Sequence, residues 1–342
     1  MHTKGMKNRI FNITILGAGS WGSTLAWLLS KKKVALTIWT FSKEEYEYIK
    51  KNKSLPRPKK IKLTKNIHVT TELTTAVRDS DLIIIAIPTN AFKSTIIKLK
   101  KLKINKKIIL LSATKGIARV TNLRPSTILN KYLPKNPSAV LSGPNIALDV
   151  ISQAPIISII ASKNHKVASM LQELISSKHF RIYLNNDVTG VEMAGALKNV
   201  IAIASGMSDG FGFNISTKAA LISRGLTEIA KITIKEGGKA KTLLGAAGIG
   251  DLIATCCSKD SRNYKVGYEL ASGKKLKNIL KRLGQVAEGT ETVKVMMKLA
   301  KKHKVTVPIA SAVYDVLVNG KNPKLALKNL LNRPLAKYEI EF

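Results

Sequence analysis

Short apolar runs alternate with helix-like stretches through the first half of the chain. Runs that are almost continuous in Ile, Leu and Val are typical of strands covered on both faces of a parallel sheet. The pattern predicts strands at Phe11–Leu16, Ala35–Trp39, Leu82–Ile87, Ile108–Ala113, Ser138–Leu141 and Ile156–Ala161. It predicts helices between them at Ser20–Ser30, Glu44–Lys50 and Thr121–Tyr132. This alternation indicates βαβ units.

The pattern becomes helical after about Asp187. Long helical stretches with few β-branched runs are predicted at Val191–Met207, Ser216–Glu236, Tyr264–Ser272 and Glu291–His303. We therefore expect an α/β, parallel-sheet N-terminal domain over residues 8–187, followed by an all-helical C-terminal domain over residues 188–336. A cleft between two domains is the usual place for a ligand.

A glycine-rich turn lies between the first predicted strand and the first predicted helix. Gly17 permits a tight turn, Gly19 lets the backbone approach a pyrophosphate, and Gly22 lets the helix pack closely on the strand. The N–H groups at the start of the following helix attract negative charge. The sequence therefore predicts a Rossmann-like fold that binds a dinucleotide.

The end of the second predicted strand bears on the choice between NAD and NADP. The acidic residue that usually binds the ribose 2′-hydroxyl there is missing from positions 39–43, which read Trp-Thr-Phe-Ser-Lys. Lys43 is placed to meet a 2′-phosphate, and Phe41 to lie against the adenine. These positions argue against exclusive use of NAD and favour NADP or use of both cofactors.

The strongly basic composition adds little to the prediction of the protein's binding partners. The 342 residues carry a formal net charge of +36, with lysines spread along the whole length. No aromatic interleaving or nucleic-acid motif accompanies them, so we interpret them as a solvated surface without a specific nucleic-acid partner. Such a surface concentrates phosphorylated small molecules near the protein.

Other classes of protein receive little support from the sequence. No apolar run approaches the length of a membrane-spanning helix, and no His/Cys cluster has the spacing of metal ligands. Cys256 and Cys257 are adjacent, which favours two reduced thiols over a disulfide scaffold. We expect a cytoplasmic protein without a bound metal.

Lys198 is the most unusual residue of the second half. The helix predicted at Val191–Met207 has only two charged residues, Glu192 and Lys198, among small and apolar ones. Burial and nearby positive charge would lower the pKa of the lysine and prepare it to exchange a proton near neutral pH. The alternative is a lysine whose amine extends along the surface to solvent.

Four further segments combine polar or charged residues with small ones. Ser112–Gly116 and Leu141–Asn145 each follow a predicted strand, at the sheet edge where such folds bind ligands. Gly250-Asp251 ends a Gly/Ala-rich loop, and residues 260–263, Asp-Ser-Arg-Asn, are typical of a helix start. Arg262 with the helix N–H groups would bind a phosphate, whereas the plainer interpretation is a helix cap.

Together these segments resemble the bacterial-type NAD(P)-dependent glycerol-3-phosphate dehydrogenases. The resemblance extends from Ile13 to about Pro308, with the motifs in order. It is carried by Gly-Ala-Gly-Ser-Trp-Gly at 17–22, Ala-Thr-Lys-Gly at 113–116, Ser-Gly-Pro at 142–144, Leu-Lys-Asn-Val-Ile-Ala-Ile-Ala-Ser-Gly-Met-Ser-Asp-Gly at 197–210, Gly-Ile-Gly-Asp-Leu at 248–252, Ser-Arg-Asn at 261–263 and Val-Ala-Glu-Gly at 286–289.

The resemblance implies a role for each matching residue. Lys198 matches the catalytic proton acceptor of the oxidation. The residues that match substrate contacts are Lys115, Gly143, Asn145, Lys198, Asp251, Ser261, Arg262 and Asn263. Those that match cofactor contacts, beside Gly17, Gly19 and Gly22, are Ser20, Trp21, Phe41, Lys115, Ala147, Arg262, Val286 and Glu288.

Two positions depart from the family pattern. Members usually have a small hydroxyl residue where this chain has Asn145, and many have a basic residue at or next to the position of Phe41. These departures affect the geometry of the substrate site and the recognition of a 2′-phosphate. The extension Met1–Lys7 is not part of the pattern.

The resemblance implies hydride transfer between NAD(P)H and dihydroxyacetone phosphate, giving sn-glycerol 3-phosphate for glycerophospholipid synthesis. Lys198 would donate the proton, Lys115 would stabilise the developing alkoxide, and Asp251 would orient Lys198 or a substrate hydroxyl. We also expect a homodimer. Two alternatives stay open: a related two-domain dehydrogenase of hydroxy acids, and a binder of nucleic acid or anionic surfaces that kept the fold.

Overall fold

An eight-stranded sheet forms the first part of the chain in a computed structural model, which describes residues 10–58, 61–284 and 286–334. Within these ranges the main sheet has the strand order β10-β9-β8-β7-β6-β1-β2-β5, and β3 pairs with β4 in a separate two-stranded ribbon. The strands are β1 Phe11–Leu16, β2 Val34–Trp39, β3 Ser54–Leu55, β4 Ile61–Lys62, β5 Ile67–Thr70, β6 Leu82–Ile85, β7 Ile109–Ser112, β8 Ser138–Ser142, β9 Ile156–Ala161 and β10 Phe180–Asn185.

The order of the strands reverses between β1 and β6. From β1 the chain proceeds outward to β2 and β5, whereas β6, β7 and β8 continue on the other side. All these neighbours pair in parallel, so their carboxyl ends share one edge. The point of reversal is where doubly wound sheets bind ligands. β9 pairs antiparallel with β8 and parallel with β10, so the last two strands run in the opposite direction.

The six predicted strands are confirmed, each within two residues of its expected bounds. The four missed strands have a physical explanation. β5 and β10 are the outer strands of the main sheet, and polar residues alternate with apolar ones in both, as in Phe-Arg-Ile-Tyr-Leu-Asn. β3 and β4 are only two residues long. None of the four is a continuous apolar run.

Sixteen α-helices occur among the described residues. The first seven accompany the sheet: α1 Ser20–Ser30, α2 Lys43–Asn52, α3 Leu73–Val77, α4 Thr89–Lys101, α5 Pro125–Tyr132, α6 Ala147–Ile151 and α7 His165–Ile175. The others follow it: α8 Val188–Gly210, α9 Ile215–Lys235, α10 Ala240–Leu243, α11 Asp251–Cys257, α12 Arg262–Ala271, α13 Leu276–Leu283, α14 Gly289–His303, α15 Pro308–Leu317 and α16 Pro323–Leu331, with a π-helical turn at Ala246–Gly250.

The predicted helix Thr121–Tyr132 was wrong at its start. Ala118 forms a bridge with Leu123, and the helix begins only at Pro125. Proline suits the first position of a helix, because it lacks an N–H that would have no partner there and its φ is already helical. The other predicted helices match observed ones within three residues at each end.

Helix α8 is the centre of the second part. Every residue from Gly190 to Ser208 is buried. Helix α12 crosses it almost backbone to backbone, because a Cβ at Gly206 would lie 2.0 Å from the Tyr264 carbonyl oxygen and one at Gly267 would lie 1.9 Å from the Ile203 carbonyl oxygen. The close crossing fixes the start of α12 relative to Lys198.

Two buried carboxylates from the second part bind helix starts of the first part. Glu192 accepts the Ser126 backbone N–H at 2.8 Å and the Arg124 guanidinium at 2.7 Å, at the start of α5. Glu288 accepts the Thr89 backbone N–H at 3.2 Å and its hydroxyl at 2.6 Å, at the start of α4. These bonds join the two parts beside the carboxyl edge of the sheet.

The change from sheet to helices falls at α8, which begins at Val188 with Asp187 as its cap. A Rossmann-like first part and a mostly helical second part are therefore confirmed. The domain bounds 8–187 and 188–336 stay a prediction. Residues 8–9 and 335–336 lie outside the described residues, as does the extension Met1–Lys7.

Candidate active site

The glycine turn joins β1 to α1 at the point where the strand order reverses. Gly17 has φ +111°, and a Cβ there would lie 2.6 Å from the Ala86 carbonyl oxygen. A Cβ on Gly22 would lie 2.0 Å from the Gly17 carbonyl oxygen, whereas one on Gly19 would meet nothing within 4 Å. No side chain caps α1, whose first N–H groups therefore lack a capping partner. Gly17 and Gly22 are therefore needed for close packing, whereas Gly19 leaves open space at the start of α1.

Lys198, Lys115 and Asp251 meet at the carboxyl edge of the sheet, where β7 and β8 end. The Lys198 ammonium donates to Asp251 Oδ1, and the Lys115 ammonium donates to Asp251 Oδ2 at 2.9 Å. Lys115 also donates to the Gly143 carbonyl at 2.6 Å, which links the ends of β7 and β8. The side chain of Asp251 is 2% exposed, that of Lys198 7% and that of Lys115 20%. Two cations from different domains thus share one buried carboxylate.

The position of Lys198 excludes the surface alternative. Its ammonium is buried and donates a second hydrogen bond, of 2.6 Å, to the Thr255 hydroxyl. That hydroxyl donates to the Asp251 carbonyl at 2.6 Å, one turn earlier in α11. Burial lowers the pKa of Lys198 to about 8, with the charge of Lys115 adding to the effect and Asp251 opposing it. Such a group exchanges protons near neutral pH.

Gly143 and Asn145 line the same edge after β8. Gly143 has φ +141°, a conformation that favours glycine, and a Cβ there would lie 3.1 Å from Ser158 Cα. Asn145 Nδ2 donates to the Ser158 hydroxyl at 3.0 Å, and Asn145 Oδ1 is buried without a hydrogen-bond partner in the described part of the chain. The amide thus has a fixed orientation and a free acceptor.

The start of α12 has both a cap and a free cation. Ser261 accepts the Tyr264 backbone N–H at 3.3 Å, as a capping residue does. Asn263 donates to Asn199 Oδ1 and accepts the Gly289 N–H, both at 2.9 Å, so its amide joins α12 to α8 and α14. Arg262 is exposed and has no hydrogen bond or ion pair within the described ranges. It remains available to an anion.

Comparisons with known proteins agree with this arrangement. The profile of the NAD-dependent glycerol-3-phosphate dehydrogenase N-terminus matches residues 12–168, and that of the C-terminus matches residues 187–328. The chain belongs to this family. A glycerol-3-phosphate dehydrogenase [NAD(P)+] of Thermoanaerobacter sp. is 40% identical over 94% of this chain and 97% of that protein. One from Bacillus subtilis is 39% identical over 94% of each.

A solved structure supports the same assignment. The crystal structure of glycerol-3-phosphate dehydrogenase from Coxiella burnetii has a TM-score of 0.91 and 33% sequence identity to this chain, covering 95% of it and 99% of that chain. This glycerol-3-phosphate dehydrogenase family member is therefore an oxidoreductase that uses NAD or NADP. The glycine turn fits that cofactor, because the missing side chain at Gly19 leaves open space at an uncapped helix start.

Two of the predicted cofactor residues beyond the turn, Phe41 and Ala147, follow strands that end at the same edge. Phe41 projects from the end of β2 with 76% of its surface exposed. Val286 is 43% exposed, and Ala147 begins α6 after β8. The Glu288 carboxylate, by contrast, is engaged with Thr89, and burial raises its pKa. The contacts assigned to these residues, to Ser20 and to Trp21 stay predictions.

Two residues near the site were missed. Thr255 binds Lys198, and nothing in a helical Ala-Thr-Cys-Cys segment distinguishes its hydroxyl. Glu45 places a carboxylate at the end of β2, because it accepts the Thr40 hydroxyl at 2.6 Å. The pattern Ser42-x-x-Glu45, typical of a helix start, could have revealed it. Ser42 indeed accepts the Glu45 N–H at 3.1 Å.

The described residues contain neither a membrane-spanning helix nor a metal-binding cluster. None of their helices is long and apolar enough to cross a membrane. They contain no group of three or more His, Cys, Asp or Glu side chains that would hold a metal ion.

Proposed function

We propose that the chain transfers a hydride between NAD(P)H and dihydroxyacetone phosphate and so forms sn-glycerol 3-phosphate, or runs the reverse oxidation. The observation that carries this proposal is the pair of lysines on Asp251, at the same carboxyl edge of the sheet as a glycine turn with open space at Gly19. A ketone oxygen that becomes an alkoxide needs positive charge and a proton donor, and this site offers both.

Lys198 is the proposed proton donor. An ammonium has three N–H groups, and Asp251 and Thr255 accept two of them. The third is left for the ketone oxygen of the substrate. Bound NAD(P)H supplies the hydride to the carbon. In the oxidation, neutral Lys198 accepts the proton from the hydroxyl group.

The neighbouring residues would position the substrate. Asp251 orients both lysines, and Lys115 stabilises the developing negative charge. Arg262 and the N–H groups at the start of α12 would hold the phosphate away from the reacting carbon. The free Asn145 Oδ1 would accept a substrate hydroxyl. Gly143, Ser261 and Asn263 would complete the substrate site, although the Asn263 side chain is already bonded to its neighbours.

The proposal extends to the role of the enzyme in the cell. We propose that sn-glycerol 3-phosphate from this reaction enters glycerophospholipid synthesis in the cytoplasm. Cys256 and Cys257 are both free thiols, as expected in a reducing compartment. We also propose a homodimer, which light scattering on the purified protein would test.

The substrate is tested by measuring oxidation of NADH and NADPH with dihydroxyacetone phosphate, beside a panel of 2-keto acids. Turnover of dihydroxyacetone phosphate alone is expected. Preferential turnover of a keto acid would support the hydroxy-acid alternative instead. Salt-dependent DNA binding without any turnover would support the anion-binding alternative.

Lys198→Ala tests the catalytic assignment. Turnover should fall at least ~10²-fold, the low end for general acid–base catalysis, while the affinity for NAD(P)H stays within about threefold. Lys235→Ala removes an exposed lysine of α9 and serves as the control. Near-normal turnover of Lys198→Ala would reject the assignment.

A further inference from the structure

Arg57 lies beside the loop that follows β2, a position that the polarity pattern does not predict. Its guanidinium forms an ion pair with Glu45, whose other carboxylate oxygen accepts the Thr40 hydroxyl at 2.6 Å. Thr40 directly follows β2, and the preceding Trp39 carbonyl accepts the Gly17 N–H at 2.8 Å. A continuous series of contacts therefore joins the glycine turn to Arg57.

The carboxylate at this edge is not free to bind a ribose. A dehydrogenase that prefers NAD offers the ribose hydroxyls an acidic side chain near the end of the second strand. Here Thr40 and Arg57 occupy both oxygens of Glu45, and the Glu45 side chain is only 12% exposed. Arg57, by contrast, has 41% of its side chain exposed. The cation of the pair is therefore the more accessible of the two side chains.

Arg57 retains hydrogen-bonding capacity. A guanidinium has five N–H groups, and one terminal nitrogen of Arg57 is used by Glu45. The buried Nε, which has no hydrogen-bond partner among the described residues, is not accessible to a ligand, so the available N–H groups are those of the terminal nitrogens. A phosphate monoester is the anion whose geometry matches several N–H groups of one guanidinium.

A second cation lies within electrostatic reach. Although the Arg262 residue is exposed, neighbouring protein atoms desolvate its guanidinium and lower its pKa; Glu288 opposes this shift, and the charge of Arg57 adds to it. Arg262 begins α12 in the helical part, whereas Arg57 belongs to the sheet part. Two like charges that influence one another favour an anion near both.

We propose that Arg57 determines the preference of this enzyme for NADP(H), by binding the 2′-phosphate of the adenosine ribose. Glu45 neutralises and holds Arg57 when no phosphate is present. Lys43, which the sequence analysis assigned to this role, is exposed on the first turn of α2 without such a contact. This inference rests on the NAD(P) cofactor of the family and not on the proposed substrate.

The test compares two nucleotides that differ only in the phosphate. Binding of adenosine 2′,5′-bisphosphate and of adenosine 5′-monophosphate is measured by calorimetry on the full chain. Wild type should prefer the bisphosphate. Arg57→Gln should weaken bisphosphate binding by about tenfold or more, as expected for a lost charge-assisted contact, and change monophosphate binding less than about threefold.

Control variants separate a specific contact from general charge. Lys51→Gln removes an exposed charge from α2 and should leave both affinities unchanged. Arg57→Lys, which keeps the charge but loses the planar fork, should bind the bisphosphate with intermediate affinity. Glu45→Gln removes a competing negative charge and should strengthen the preference for the bisphosphate.

The proposal is overturned if wild type binds both nucleotides equally, or if Arg57→Gln weakens both to the same degree. It is also overturned if neither nucleotide binds. A preserved nucleotide preference without turnover of dihydroxyacetone phosphate would refute the proposed substrate and leave the role of Arg57 intact. Melting temperatures of the variants show whether each one is folded.

Discussion

The Lys198 ammonium loses solvation inside α8 and gains a carboxylate, and these changes act on its pKa in opposite directions. Loss of solvation is the larger effect, so the pKa falls to about 8. Lys115 binds the same carboxylate, so its positive charge lies near the Lys198 ammonium. Because like charges repel, this further lowers the pKa of Lys198. The group is therefore mostly charged at neutral pH but close to losing its proton.

The pH dependence of turnover should follow this pKa. Reduction requires the protonated amine, so its kcat should be constant at low pH and fall as the pH rises through about 8. Oxidation requires the neutral amine and should rise over the same range. Steady-state rates in both directions measure this, and parallel profiles for the two directions would contradict the assignment.

Lys115→Met should shift the pH at which the rate of reduction has fallen by half. Removing the positive charge of Lys115 raises the pKa of Lys198, so the fall in the reduction rate should move to higher pH, in addition to any loss of rate. Lys166→Met, at an exposed position of α7, is the control and should leave the midpoint unchanged. A midpoint that moves to lower pH in Lys115→Met would show that Lys115 does not act on Lys198.

At the residue scale the sequence singles out Lys198 with two alternatives, a reactive buried amine or a surface lysine, and the resemblance implies that Asp251 orients it, but Thr255 was not foreseen. A helix with two charges among small apolar residues has to bury at least one of them. Asp251 and Thr255 lie 53 and 57 positions further along the chain, and only the tertiary fold brings them to the ammonium. Glu45 was missed for a related reason, since its side chain extends back from a helix to the end of a strand.

At the scale of elements, buried carboxylates recur at helix starts. Glu228 on α9 accepts the N–H groups of Ile309 at 2.6 Å and Ala310 at 3.0 Å, at the start of α15. These bonds satisfy N–H groups that the helix itself cannot. Burial nevertheless dominates and raises the pKa of Glu228 to about 7.

Stability should therefore depend on pH near neutrality. Because the folded pKa of Glu228 lies above the ordinary 4.5, its contribution to stability is complete below about 4.5 and is lost as the pH rises through about 7. The full loss corresponds to about 3 kcal/mol. Urea unfolding at several pH values should show this decrease, and Glu228→Gln should flatten it. An unchanged slope in the variant would assign the dependence to other groups.

The inner strands could be predicted and the outer ones could not. An inner strand is covered on both faces and becomes a continuous apolar run, as in Leu82–Ile85. The outer strands β5 and β10 contact solvent on one side and alternate in polarity. The direction of a strand does not change its pattern of polar and apolar residues, so the antiparallel pairing of β8 with β9 was not foreseen.

At the scale of the whole molecule, the two parts are joined by polar bonds as well as by packing. Glu192 and Glu288 extend from the helical part to the starts of α5 and α4. The division near residue 188 could be predicted, because the periodicity of the pattern changes there. These bonds could not, because each joins residues far apart in the chain.

Removing one of these carboxylates should weaken the whole fold. Glu192→Ala leaves Arg124 and the Ser126 N–H without their buried partner, which should cost about 3–5 kcal/mol of unfolding free energy. Glu47→Ala, at an exposed position of α2, should cost less than about 0.5 kcal/mol. Denaturant unfolding measures both, and similar losses in the two variants would show that the bond between the parts adds nothing.

The sharing of Asp251 by two lysines has a consequence for the electrical state of the reacting centre. With both amines protonated the trio holds one net positive charge, and after Lys198 has released its proton the trio is neutral. In the proposed mechanism its net charge thus alternates between plus one and zero during the catalytic cycle. Because this charge is never negative, the reacting centre does not repel a phosphorylated substrate, which is itself an anion.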